Sequence, residues 1–261
     1  MSFSVAEFQA VVDKINTGME DLSAKMVEMP AAANRAIDHW YVPGFVADGV
    51  IWLCEKMLDL ARQILDKIAE LVRGIAAPVY FWNFRGDLED VVRQADGVVA
   101  DLSDAELAGS EAWAGRGAEA YRRQVPAQRD ATAELSSMAE KLRGGLLELA
   151  IAGLVFYAGI GLVLVKFIAA MVAAIAAFGS AVFSWAGAAI VLEEAGVNTA
   201  ALAGLAAAVG AVVATQARQM NELESAASSD VFPGGAWPSA HRSQWKDSSV
   251  KDGDDDWSLD G

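Results

Sequence analysis

The chain predicts an all-α protein: amphipathic helical hairpins, a hydrophobic transmembrane helical hairpin and a disordered acidic tail. Three observations carry that class. Leu149 to Leu192 is an unbroken run of 44 residues in which Lys166 is the single charge. As a helix it would extend roughly 66 Å, about twice the hydrocarbon thickness of a bilayer. A second neutral stretch, Ala195 to Thr215, follows the acidic pair Glu193 and Glu194. Ahead of both, apolar residues recur every three or four positions through the first 75 residues, which is the period of an amphipathic helix.

The first element is written by Val5, Phe8, Val12, Ile15, Met19, Leu22, Met26 and Met29, a heptad-like stripe on one helical face that wants a partner. It should stop near His39-Trp40-Tyr41-Val42-Pro43-Gly44, because proline disfavours helix in the residue before it and glycine breaks the register. A second helix is expected from about Phe45 to Ile75, apolar at Val46, Val50, Leu53, Met57, Leu60, Ile64 and Ile68. Its opposite side carries Glu55, Asp59, Arg62, Asp66, Lys67, Glu70 and Arg73, a solvated face. Together these make an N-terminal amphipathic hairpin over residues 1–76.

Pro78 and the run Tyr80-Phe81-Trp82-Asn83-Phe84 set off the next unit, residues 77–145. Aromatic groups there can staple two helical layers or sit at a lipid–water interface. Leu88, Val91, Ala95, Val98 and Leu102 resume helical spacing, Ala118, Tyr121 and Val125 restart it after Gly117, and Leu135, Met138 and Leu142 continue it into the apolar run. Pro126 should kink or break this last helix, since it removes a backbone donor at a cost of about 3 kcal/mol in a helix interior.

Residues 146–215 form the membrane segment, with Gly179-Ser180 as the turn between a first span from near Leu146 to Phe178 and a second from about Val182 to Thr215. A three-span arrangement with breaks near Ala170 and Glu194 fits less well. Lys166, Glu193 and Glu194 are the intramembrane charges. Lys166 and the two carboxylates lie at matching distance from the turn, so an ion pair across the hairpin is the preferred expectation, the alternatives being that Lys166 snorkels to the interface or lines an ion-conducting path; the carboxylates otherwise mark a kink, a loop or the bilayer edge. Arg122, Arg123, Arg129, Lys141 and Arg143 precede the first span and Arg218 follows the last, which places both soluble ends in the cytoplasm. The tail, residues 216–261, holds four basic against nine acidic residues and is expected to be disordered when free; Trp237, Trp245 and Trp257 in it are docking anchors, contacts with the protein's own body, or incidental aromatic residues.

A formal net charge of −15 argues against nucleic acid as a partner. The single cysteine, Cys54, permits no intrachain disulfide, and His39 and His241 have no ligands at metal-binding spacing. No phosphate loop, nucleophile elbow or catalytic triad is present, so no catalytic residue, cofactor or small-molecule substrate is expected. The implied partners are a lipid bilayer and a helical protein, or a second copy of the chain.

Between the two helices of the second unit stands Glu111-Ala112-Trp113-Ala114-Gly115-Arg116-Gly117-Ala118-Glu119-Ala120-Tyr121. Trp113, one residue, then Gly115 at a helical turn, with Tyr121 beyond, resembles the WXG100 (ESAT-6-like) family of type VII secretion substrates. The glycine permits a tight connection and the indole covers the open end between the helices. The resemblance, over roughly residues 84–145, implies a two-helix hairpin that pairs into a four-helix bundle. It further implies a membrane-associated interaction protein linked to type VII secretion, similar to actinobacterial proteins that carry such a hairpin beside a membrane segment. The family's export signal, Tyr followed four positions later by Asp or Glu, is not matched, because Tyr121 meets Val125 and Tyr157 meets Gly161 at that spacing. The alternative is a secreted pore-forming or membrane-depolarising effector whose hydrophobic hairpin enters a target membrane.

Overall fold

The computed structural model describes residues 2–38, 42–103, 116–178 and 185–238, with the backbone alone for 116–120, 185–192 and 194–199. Among these residues the fold is all helical, without strands. Helix α1 is Val5–Ile37, α2 Gly44–Leu71, α3 Ala77–Asp101, α4 Arg116–Phe178 and α5 Trp185–Ala226. Short 3-10 turns occupy Val72–Gly74 and Pro233–Gly235.

Local chemistry sets the helix ends. Ser4 caps α1 by accepting a hydrogen bond from the Glu7 amide at 3.4 Å, and the Glu7 carboxylate and Arg35 sit at the ends where the helix dipole favours each charge. Pro43, extended at φ −63° and ψ 145°, precedes α2. Pro78 lies in the first turn of α3, where its missing N–H costs no intrahelical bond.

Two internal prolines behave differently from the break expected at Pro126. Helix α1 runs through Pro30, and α4 runs through Pro126 without interruption. Pro126 and Arg122 are both exposed, and Val125 beside them is buried as an anchor. Proline disrupts a helix most where the orphaned carbonyl has no solvent to turn to.

The chain forms two compact units, Met1–Trp82 with Glu148–Ala214, and Asn83–Leu147 with Thr215–Gly261. The first unit holds the main core. From α1 come Phe8, Ile15, Leu22 and Met29, one residue per heptad and each no more than 2% exposed; Val12, Met19 and Met26 of the same stripe are half-buried, and Val5 is exposed. From α2 come Val50, Leu53, Cys54, Met57, Ala61, Ile64 and Ile68. Onto this hairpin packs the Ala150–Phe178 stretch of α4, so the residues read as an independent N-terminal hairpin and those read as a membrane segment share one core. An aromatic cluster closes it: Phe3 meets Phe8 and Trp82 at 5.8 and 5.4 Å, and Phe8 meets Tyr157 edge-on at 5.7 Å. The aromatic run in α3 is thus divided, Phe81 and Trp82 turning inward while Tyr80 and Phe84 are 70% and 50% exposed.

Cys54 is buried in that core, and desolvation, reinforced by the Glu55 carboxylate, raises its thiol pKa above the ordinary 9.0. Alkylation by N-ethylmaleimide at neutral pH should therefore run on the order of tenfold slower in the folded chain than in denaturant. The unfolded chain releases the thiol proton first, so this group's contribution to stability is present below pH 9.0 and declines above it.

The second unit is tied by polar groups over a smaller core that includes Ala95, Val125, Ala131, Ala139 and Leu146. The Ser136 hydroxyl donates to Asp96 at 2.6 Å, and Arg143 forks onto Glu140 at 2.7 and 2.8 Å while facing Glu89 at 3.5 Å. Gly145 leaves no room for a Cβ beside the buried Gln216 side chain. The chain beyond Gln216, expected to be flexible throughout, instead continues as helix to Ala226, buries Phe232, and returns to α4. There Gln128 donates to the Pro238 carbonyl at 2.6 Å and accepts from the Trp237 indole. Trp237 is therefore an anchor to the protein's own body; Trp245 and Trp257 lie outside the described residues. Trp237→Ala should loosen residues 227–238 by about 1 kcal/mol, read as faster proteolytic trimming of that segment.

Candidate membrane-facing site

The chemistry-bearing feature of this molecule is a helix with two apolar faces. In α4 the residues Ala150, Tyr157, Leu164, Met171 and Phe178 recur every seven positions, as do Ile160, Phe167 and Ala174, and all of them are buried. This inner stripe matches the heptad of α1, and glycines let the two backbones come close. Leu164 lies over Gly18, where a Cβ would meet its side chain at 3.2 Å, and Ile15 lies over Gly161. Gly153 similarly receives Pro78, and Gly159 receives Leu205 of α5. Tyr157 donates its hydroxyl proton to the Leu71 carbonyl at 3.2 Å, which fixes the end of α2 against α4.

The outer stripe of the same helix has no cover. Val155, Leu162, Val165 and Val172 are 49%, 55%, 46% and 45% exposed, and Lys166 is exposed among them. Among its described side chains, α5 is barer still over Ala200–Ala226. Leu202 is buried and Leu205, Ala206 and Val209 touch the core, but only 11% of its apolar stretch is buried, against 44% for α4. Two helices are long and apolar enough to cross a membrane, Tyr121–Phe178 within α4 and Ala200–Ala226 within α5. Monomeric soluble proteins rarely leave contiguous apolar surface of this kind in water.

The sequence-predicted charges fall as follows. Lys166 and Glu193 are both exposed, and among the described residues no ion pair joins them; the side chain of Glu194 lies outside the described set. The helix α5 is unbroken from Trp185 through the Glu193-Glu194 pair, and α4 is unbroken through Ala170, so neither a loop at the acids nor a three-span arrangement is present. Gly179-Ser180, Trp113 and Gly115 lie outside the described residues, and Tyr121 is a 36% exposed residue near the start of α4. His39 and His241 also lie outside them, and among the described residues no cluster of three His, Cys, Asp or Glu could hold a metal.

A second apolar recess occurs within the other unit, a cavity of about 530 Å³ lined by Leu88, Val91, Leu135, Met138 and Leu142 with Met220 at its edge. Sequence periodicity picks out Leu88, Val91, Leu135, Met138 and Leu142. It misses Met220, because that residue falls in a stretch whose composition reads as tail.

Sequence reading also missed which helix partners the α1 heptad. The signal was present as a matching seven-residue period in residues 150–178, with Gly161 where Ile15 of α1 approaches, but the overall hydrophobicity of that run masks its period. No family model matches the chain, and neither a curated protein nor a solved structure shows significant similarity to it. The fold and site define an all-α protein with two membrane-competent helices, one of them half-covered by its own amphipathic hairpin.

Proposed function

We propose that this chain is a membrane-associated helical interaction protein, which acts by binding a lipid bilayer through the apolar faces of α4 and α5 and a helical partner through its amphipathic units, with no catalytic step. The observation that carries this reading is the uncovered outer stripe Val155, Leu162, Val165 and Val172, opposite a fully packed inner stripe on the same helix. An amphipathic core helix needs one apolar face; a second one needs a second apolar environment. The basic residues before the first span support a cytoplasmic side for the soluble ends. Flotation of the purified chain with vesicles of phosphatidylcholine and phosphatidylglycerol tests the reading: protein that stays at the bottom of the gradient removes it.

The link to type VII secretion rests on Trp113-Ala114-Gly115 and Tyr121. It calls for a small helical partner carrying its own W-x-G turn, and Trp113→Ala should abolish co-purification of that partner; an unaffected complex defeats the link.

A second reading, a secreted pore-former, draws support from the cover α1 and α2 give one side of α4, which a chain needs while it crosses water. Recovery of soluble protein from the culture medium together with dye release from vesicles distinguishes it from a resident membrane protein.

A further inference from the structure

We infer that the seating of α1 and α2 on α4 and the passage of α4 through a bilayer exclude one another, so that the hairpin must leave the inner stripe before α4 can span. The inference rests on the membrane reading above and concerns how that site is controlled.

Leu164 lies midway along the apolar stretch Leu149–Phe178. That stretch is about 45 Å long as a helix against about 30 Å of hydrocarbon, so Leu164 sits deep in the bilayer whenever the stretch is centred on it. The Leu164 side chain lies against Gly18, 3.2 Å from where a Cβ there would stand. With α1 seated, Gly18 would occupy the same depth, and its neighbours Asp13, Lys14, Glu20 and Asp21 are all exposed. Helix α2 repeats the problem with Glu55, Asp59, Arg62 and Asp66 exposed while Leu53, Met57 and Ile64 enter the shared core. The ion pair Arg62–Asp59 at 3.1 Å does not remedy it, since both side chains are more than half exposed and would face lipid tails.

Lipid replaces the hairpin as the partner of Ile160, Leu164, Phe167 and Met171, and the Tyr157 hydroxyl gives up the Leu71 carbonyl. The freed α1 and α2 keep one apolar and one charged side, the pattern of helices that lie in the headgroup plane. Two packed arrangements of one helix, each with a complete apolar environment, make a device that changes state only when a bilayer competes for the inner stripe.

A reversible staple tests this. The Cβ built at Gly18 lies 3.4 Å from the Leu164 Cβ, close to the separation of a disulfide. Gly18→Cys with Leu164→Cys, in a chain whose own thiol is removed by Cys54→Ala, can be oxidised with diamide and reduced with dithiothreitol. Flotation with the vesicles named above reads membrane binding; resistance to alkaline carbonate reads insertion. The oxidised chain is expected to float but to wash off, with carbonate-resistant protein reduced on the order of tenfold, and reduction should restore it. Equal carbonate resistance in both redox states overturns the inference and leaves the membrane reading intact. No flotation in either state overturns both. Should the double-cysteine chain lose its helical circular dichroism, Gly18→Leu decides: its side chain crowds Leu164, so insertion should become several-fold faster, and an unchanged or slower rate overturns the inference.

Discussion

Replacing Leu162, Val165 and Val172 together by glutamate is expected to abolish vesicle binding while leaving helix content and thermal unfolding nearly unchanged. All three side chains are about half exposed on the outer stripe of α4, so their removal disturbs little packing, and surface changes of this kind usually stay within about 0.5 kcal/mol each. In lipid the balance reverses. A carboxylate at the centre of a spanning helix costs about 3 kcal/mol, and three would outweigh what the remaining apolar stretch offers. Sedimentation with and without vesicles measures the binding, and circular dichroism measures the fold. A triple variant that still floats would show that α4 does not use this face.

The complementary change is Ile15→Asp. Ile15 is completely buried, packs near Gly161, and belongs to the only apolar stripe α1 possesses. An unpaired carboxylate there costs about 3–5 kcal/mol, a large part of the stability of a unit this size. Unfolding by urea should shift to markedly lower midpoint, and the dye 8-anilinonaphthalene-1-sulfonate should bind as the inner stripe of α4 opens. The two variants therefore separate by face: the outer one loses the membrane and keeps the fold, the inner one loses the fold. A wild-type midpoint for Ile15→Asp would mean that α1 is not seated on α4 in solution.

The helices themselves were legible in the sequence. The three-and-four spacing of α1 and α2, the end of α1 just before His39 and the apolar stretches of α4 and α5 all follow from residue period and composition, and each is present in the structure. What periodicity could not supply is pairing. A heptad states that a helix has one apolar face, and not which partner that face meets. The match between Ile15 and Gly161, or Gly18 and Leu164, joins residues almost 150 positions apart and depends on where glycines let backbones approach. Pro126 misled for a related reason. An internal proline costs a helix one backbone bond, and whether nearby packing such as that of the buried Val125 carries the helix through is a tertiary property. The end of α5 misled because composition was averaged over a segment whose first eleven residues are helical and whose last ones carry most of the acid.

The order of α1, α2 and α4 along the chain has a consequence for biosynthesis. Residues 5–71 leave the ribosome before residue 148 is made, a lead of roughly 75 residues, and segments synthesised first can fold first. The greasy helix is then born into the presence of a ready-made groove, one that shields it from premature capture by chaperones or by the wrong membrane. Reversing that order by circular permutation would send the apolar stretch out unaccompanied.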